Sequence, residues 1–85
     1  MSTLYYSVCM REYISETTKK IALKIKLERI KKGWSQEQLA EYANLNSNTI
    51  GKIERAQISP TIDTVVQIAE AFGLDFSKLT DISNI

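Results

Sequence analysis

Residues 35–55, Ser35-Gln-Glu-Gln-Leu-Ala-Glu-Tyr-Ala-Asn-Leu-Asn-Ser-Asn-Thr-Ile-Gly-Lys-Ile-Glu-Arg55, read as two short helices joined by a tight three-residue turn. Leu39, Ala40 and Ala43 share one face of the first helix at helical spacing. The two alanines there let a crossing helix approach closely, where bulk would force the helices apart. The turn is Asn44, Leu45 and Asn46: an asparagine that tolerates positive φ, a leucine to bury, and an asparagine able to cap the next helix. The second helix starts at Ser47.

In that second helix, a rotation of about 100° per residue sets Ile50 and Ile53 on one side and Asn48, Gly51, Lys52 and Arg55 on the other. The outward side chains are of the kinds that read DNA: an amide bonds adenine N6 and N7 together, an ammonium bonds guanine O6 and N7, and a hydroxyl serves either base. Asn48, Lys52 and Ser47 fit those roles. The competing reading is a solvated polar face on an ordinary helical hairpin.

Upstream, about Glu16 to Lys32 is a helix candidate rich in Lys, Ile, Leu and Ala, stopped by Gly33. Ser35 with Gln38 three residues on makes a capping box for the next helix, and Trp34 before the cap can supply a hydrophobic staple. Downstream, Ala56 to Ser59 form a loop. Pro60 and Thr61 introduce a fourth helix in which Ile62, Val65, Val66, Ile68, Ala69 and Phe72 make a broad face to bury, and Gly73 ends it. A last short helix, from about Asp75 to Asp81, packs Phe76 and Leu79. The expected fold is all-α: five helices preceded by an apolar arm, with residues 1–15 as the arm, 16–85 as the domain and 36–55 as its central motif.

Eighty-five residues make one small domain with a limited core. The chain has no histidine and a single cysteine, Cys9, which leaves no zinc cluster, no intramolecular disulfide and no histidine-dependent catalysis. Cys9 reads as a small hydrophobe in an apolar stretch, and no metal or cofactor is expected. No apolar run reaches the roughly 18 residues of a membrane span, and Leu4 to Met10 lacks the preceding positive charges of a signal peptide, so a cytoplasmic protein is expected. The net charge is only +1, but it is unevenly spread. Lys19, Lys20, Lys24, Lys26, Arg29, Lys31 and Lys32 cluster against Glu28 alone, whereas Asp63, Glu70, Asp75 and Asp81 lie later. That polarity can orient the chain on a phosphate backbone or be a solvated helix face.

Taken together, residues 21–81 resemble the lambda-repressor, Cro and Xre type of helix-turn-helix domain. The resemblance is carried by Arg29 to Lys32 followed by Gly-Trp-Ser-Gln-Glu-Gln-Leu-Ala, then Thr-Ile-Gly-Lys-Ile-Glu-Arg, then Ser-Pro-Thr with Ile-Ala-Glu-Ala-Phe-Gly-Leu-Asp. It implies that Ser47, Asn48 and Lys52 face base edges, and that Gln36, Asn46, Thr49 and Arg55 contact the DNA backbone. For Gln36 there is an independent reason, since a helix N-terminus favours anions. Arg29 sits on an arc with Ile21, Ala22 and Ile25, an odd place for a charge unless it is paired. The resemblance implies that Glu54 is its partner in a partly buried ion pair. Two departures stand out: Asn44 replaces a frequent glycine, and Ala56-Gln57 replaces a frequent glycine-containing loop. Gly51, placed on the exposed face, costs about 1 kcal/mol of helix propensity relative to alanine and either allows close approach to DNA or is merely tolerated.

Residues 1–15 lie outside the resemblance. Leu4, Tyr5, Tyr6, Val8, Met10, Tyr13 and Ile14 make them too apolar for a disordered tail. Leu23 and Leu27 form a second uncovered surface, roughly 120° or more from the Ile21 and Ile25 side. The arm either folds over that pair in its own chain or joins it in a dimer interface, and its pattern fits a strand or a helix. The expected activity is sequence-specific regulation of transcription without catalysis, as a homodimer on palindromic double-stranded DNA, most often repressing. The alternatives are a protein-interaction module, an antitoxin with a toxin partner, or a restriction-modification controller on the same scaffold.

Overall fold

The computed structural model describes residues 14–83, which hold five helices and no strand. Each of the first four helices starts on a side chain that satisfies one of its free N–H groups. Helix α1, Glu16–Lys31, is capped by Ser15, whose hydroxyl accepts from the backbone of Thr18 at 3.0 Å. Helix α2, Gln36–Ala43, opens with a complete capping box: Ser35 Oγ accepts from Gln38 N at 3.1 Å, and Gln38 Oε1 accepts from Ser35 N at 2.8 Å. Asn46 caps α3, Ser47–Glu54, and Thr61 caps α4, Ile62–Phe72. The last helix, α5, is the single turn Phe76–Leu79, shorter than the sequence suggests because Asp75 lies at its cap and Thr80 already closes it.

The same four helices stop in the same way. Gly33, Asn44, Ala56 and Gly73 all take left-handed φ, at 74°, 58°, 56° and 73°. After each, the next amide reaches back five residues: Trp34 to Arg29 O, Leu45 to Ala40 O, Gln57 to Lys52 O and Leu74 to Ala69 O, at 2.8–3.1 Å. This closure satisfies carbonyls that a helix end otherwise leaves bare. The turn between α2 and α3 is therefore three residues long for a local reason: Asn44 ends one helix and Asn46 begins the next.

Packing joins the five pieces around one core. Ala22 and Ile25 of α1, Leu39, Ala40 and Ala43 of α2, Ile50 and Ile53 of α3, Val65, Ile68, Ala69 and Phe72 of α4, and Leu79 of α5 are all buried. The small faces Ala40 and Ala43 let α2 lie against both α3 and α4. Gln67 on α4 donates to the Ala43 carbonyl at 3.2 Å, tying α4 to the end of α2. Trp34 fills the joint between α1 and α2, stacked on Phe72 with ring centroids 5.8 Å apart and tilted against Tyr42 at 4.6 Å.

Three side chains depart from their expected burial. Ile62 is 71% exposed and Phe76 is 40% exposed, while Val66 is only half-buried. Ile62 and Phe76 are the first residues of α4 and α5, and a helical side chain leans toward the N-terminus. From that position it points past the end of the packed layer. Leu23 and Leu27 are exposed, with Ile30 joining them on the same side of α1. The arm expected at residues 1–13, with Cys9, lies outside the described residues.

Candidate nucleic-acid interface

Helix α3 presents two unlike sides. Ile50 and Ile53 anchor its back in the core with 0% and 1% exposure, whereas Asn48, Lys52 and Arg55 are exposed and Ser47 and Thr49 are half-buried. Asn46 Oδ1 accepts from Asn48 N at 2.7 Å, which occupies one end of the Asn46 amide and leaves its NH2 available to an outside acceptor. The Asn48 side chain makes no hydrogen bond, and Lys52 no ion pair, with any described residue. Both residues are exposed.

A polar network fixes the helix in place. Arg29 Nε donates to Glu54 Oε2 at 2.7 Å, and Arg29 Nη2 donates to Glu54 Oε1 at 3.1 Å, giving a two-pronged ion pair between α1 and the end of α3. The third arm of the guanidinium, Nη1, donates to the Trp34 carbonyl at 2.7 Å. Glu54 Oε1 also accepts from Gln36 Nε2 at 3.1 Å, bringing in the start of α2. The Glu54 side chain is 2% exposed and the Arg29 side chain 13%, so this network is nearly dry. No buried side-chain nitrogen or oxygen among the described residues lacks a partner. Three helices thus meet on one carboxylate.

The network changes what one expected contact residue can do, and Arg55 closes over a position expected to be open. The Gln36 side-chain amide is turned inward to Glu54, so an anion at the start of α2 would meet the backbone N–H groups of that helix end rather than the Gln36 amide. Gly51 is not on an open face. It is buried, because the Arg55 side chain folds back over it: a Cβ built there would lie 3.0 Å from Arg55 Nη1 and 3.4 Å from Gln36 Oε1. Arg55 Nε donates to Gln57 Oε1 at 3.2 Å. Helical spacing puts Gly51 and Arg55 one above the other, but it carries no sign of which rotamer the arginine takes.

No group of acidic, cysteine or histidine side chains among the described residues could hold a metal ion, and no described helix is long and apolar enough to cross a membrane.

A short helix with a buried back, a polar front and a neighbour's N-terminus beside it defines a class of DNA-binding domain. The chain belongs to the helix-turn-helix family of Cro/C1/Xre type, whose model matches residues 25–79. That family consists of DNA-binding transcription regulators and is not enzymatic. The chain is 32% identical to the HTH-type transcriptional regulator SutR of Escherichia coli K12 over 68 residues, 80% of this chain and 34% of that protein. It is 40% identical to the control protein C.SmaI of Serratia marcescens over 45 residues, 53% of this chain and 54% of that protein. The chain therefore matches about a third of the first relative's length and about half of the second's. The crystal structure of the restriction-modification controller protein C.Esp1396I superposes with a TM-score of 0.72 at 30% identity, covering 78% of this chain and 88% of that one.

Proposed function

We propose that this protein is a sequence-specific regulator of transcription that acts as a homodimeric repressor on a palindromic operator, with α3 lying in the major groove. Asn48, Lys52 and Ser47 read base edges; Asn46, Thr49, Arg55 and the N-terminus of α2 at Gln36 hold phosphates. The observation that carries this reading is the exposed Asn48 and Lys52, whose side chains have no partner among the described residues, on a helix whose other side is locked by Ile50, Ile53 and the Arg29–Glu54 pair. A two-fold operator is expected from economy: one short helix offers too few contacts for tight binding, and two half-sites about one helical turn apart double them. Residues 1–15 act as a covering or dimerising arm on the remaining domain.

A second reading, control of a restriction-modification system, is supported by the likeness to C.SmaI and C.Esp1396I. It shares the DNA chemistry and differs in which genes the operator precedes. A titration of random duplex DNA at increasing salt tests both. Phosphate neutralisation releases counterions and gives a log–log slope of about −0.9 per contact. A slope near zero would instead favour a protein-binding module, to which a net charge of +1 is better suited.

A further inference from the structure

Gly51 sits where a glycine is costly and no turn requires it. It lies in the body of α3, and it is absent from the left-handed positions that Gly33 and Gly73 occupy. What distinguishes it is the space above it. The Arg55 guanidinium has folded back one turn to lie over the glycine, with Nη1 3.0 Å from the point a Cβ would take, and Gln36 Oε1 approaches the same point at 3.4 Å. Two further bonds fix these end groups. Gln57 Oε1 accepts from Arg55 Nε at 3.2 Å, and Glu54 Oε1 accepts from Gln36 Nε2 at 3.1 Å. The second bond decides which way the Gln36 amide faces, because a carboxylate takes only the NH2 end. Its carbonyl oxygen is left beside the arginine.

We propose that Gly51 is a positioning residue for DNA binding: the missing side chain makes a seat that holds the Arg55 guanidinium against the start of α2, so that one phosphate is bound jointly by Arg55 and the α2 N-terminus. The proposal rests on the DNA-binding reading above and deepens it. The α2 end contributes N–H groups at Gln36 and Glu37 that have no partner among the described residues, since the Ser35 cap serves Gln38. Arg55 supplies the full charge that those groups lack. An arginine extended away from α3 would reach a different phosphate, with no helix end to share it.

The test is Gly51→Ala, alone and combined with Arg55→Ala. A Cβ at 3.0 Å from the end of a flexible side chain moves that end rather than the backbone. Alanine also favours a helix more than glycine does, so the melting temperature should hold or rise, by up to roughly 4–8 °C. Affinity for random duplex DNA should nevertheless fall on the order of tenfold, the scale of one charge-assisted hydrogen bond. The salt slope should flatten by about one contact. In the Arg55→Ala background Gly51→Ala should change neither. In the free protein, the Arg55 Nε–H resonance should shift on Gly51→Ala and on Gln57→Ala.

Equal losses from Gly51→Ala with and without Arg55 would overturn the proposal, as would full affinity in Gly51→Ala. An unmoved Arg55 resonance would overturn the seat itself while leaving the DNA-binding reading intact. Wild-type protein with no salt-dependent affinity for duplex DNA would overturn that reading, even if the resonance moved as expected.

Discussion

Glu54 accepts three hydrogen bonds in a nearly dry setting, two from Arg29 and one from Gln36. Burying a charge is costly unless it is paired, and removing one partner leaves the other stranded. Glu54→Ala should therefore cost about 3 kcal/mol in urea unfolding, and the double replacement Arg29→Met with Glu54→Leu should recover much of that. Additive single and double effects would contradict a coupled pair. Ala56 makes a second case. It holds a left-handed φ of 56°, which is unfavourable by roughly 1–2 kcal/mol for a residue with a Cβ. Ala56→Gly relieves that strain and gives back part of it as unfolded-chain entropy, so a net gain of about 0.5–1 kcal/mol is expected. A loss of stability on the same measurement would show that the backbone there is not strained. These two residues differ in how far the sequence exposes them. Arg29, a charge on the apolar arc of α1, announces a partner that the family resemblance names as Glu54, whereas Ala56 gives no sign that it will end a helix. The seat of Arg55 over Gly51 is hidden for a related reason, because it depends on a rotamer and not on spacing.

Helix starts and stops are legible because they are local. Ser35 with Gln38, Asn46, Thr61, Gly33, Asn44 and Gly73 set helix ends through bonds within a few residues, and those bonds are present. Helix faces are legible in the middle of each element and less so at its first residue. Ile25, Ile50 and Ile68 are fully buried, but Ile62 and Phe76 lean off the ends of α4 and α5. The length of α5 is not legible, since one turn suffices to seat Leu79. Within α3, the division of labour gives a sharp expectation. Asn48→Ala and Lys52→Ala should each cost roughly 1–3 kcal/mol on a preferred site and relax the preference at one base position. Arg55→Ala should weaken preferred and random DNA alike. Equal losses on both kinds of DNA from Asn48→Ala or Lys52→Ala would reassign those side chains to the backbone.

Across the whole molecule, Leu23, Leu27 and Ile30 leave an apolar strip on α1 that no other described helix covers. Spaced four and three residues apart, they trace one line along the helix away from Ala22 and Ile25. If another segment or a second chain buries them, Leu23→Ala or Leu27→Ala should cost about 2–5 kcal/mol; a residue left in water should cost little. Deleting residues 1–13 should then lower the melting temperature or change the sedimenting mass, and a truncated protein unchanged in both would show the arm to be dispensable. The central claim, however, is that α3 reads sequence. It is tested most directly by selecting bound duplexes from a random library and comparing the affinity of the selected and scrambled duplexes for wild-type protein and for Asn48→Ala. The expected result is an enriched two-fold motif bound at least about 10³-fold more tightly than scrambled DNA, with part of that margin lost in the variant. No enriched motif, or a margin that Asn48→Ala leaves untouched, would contradict it.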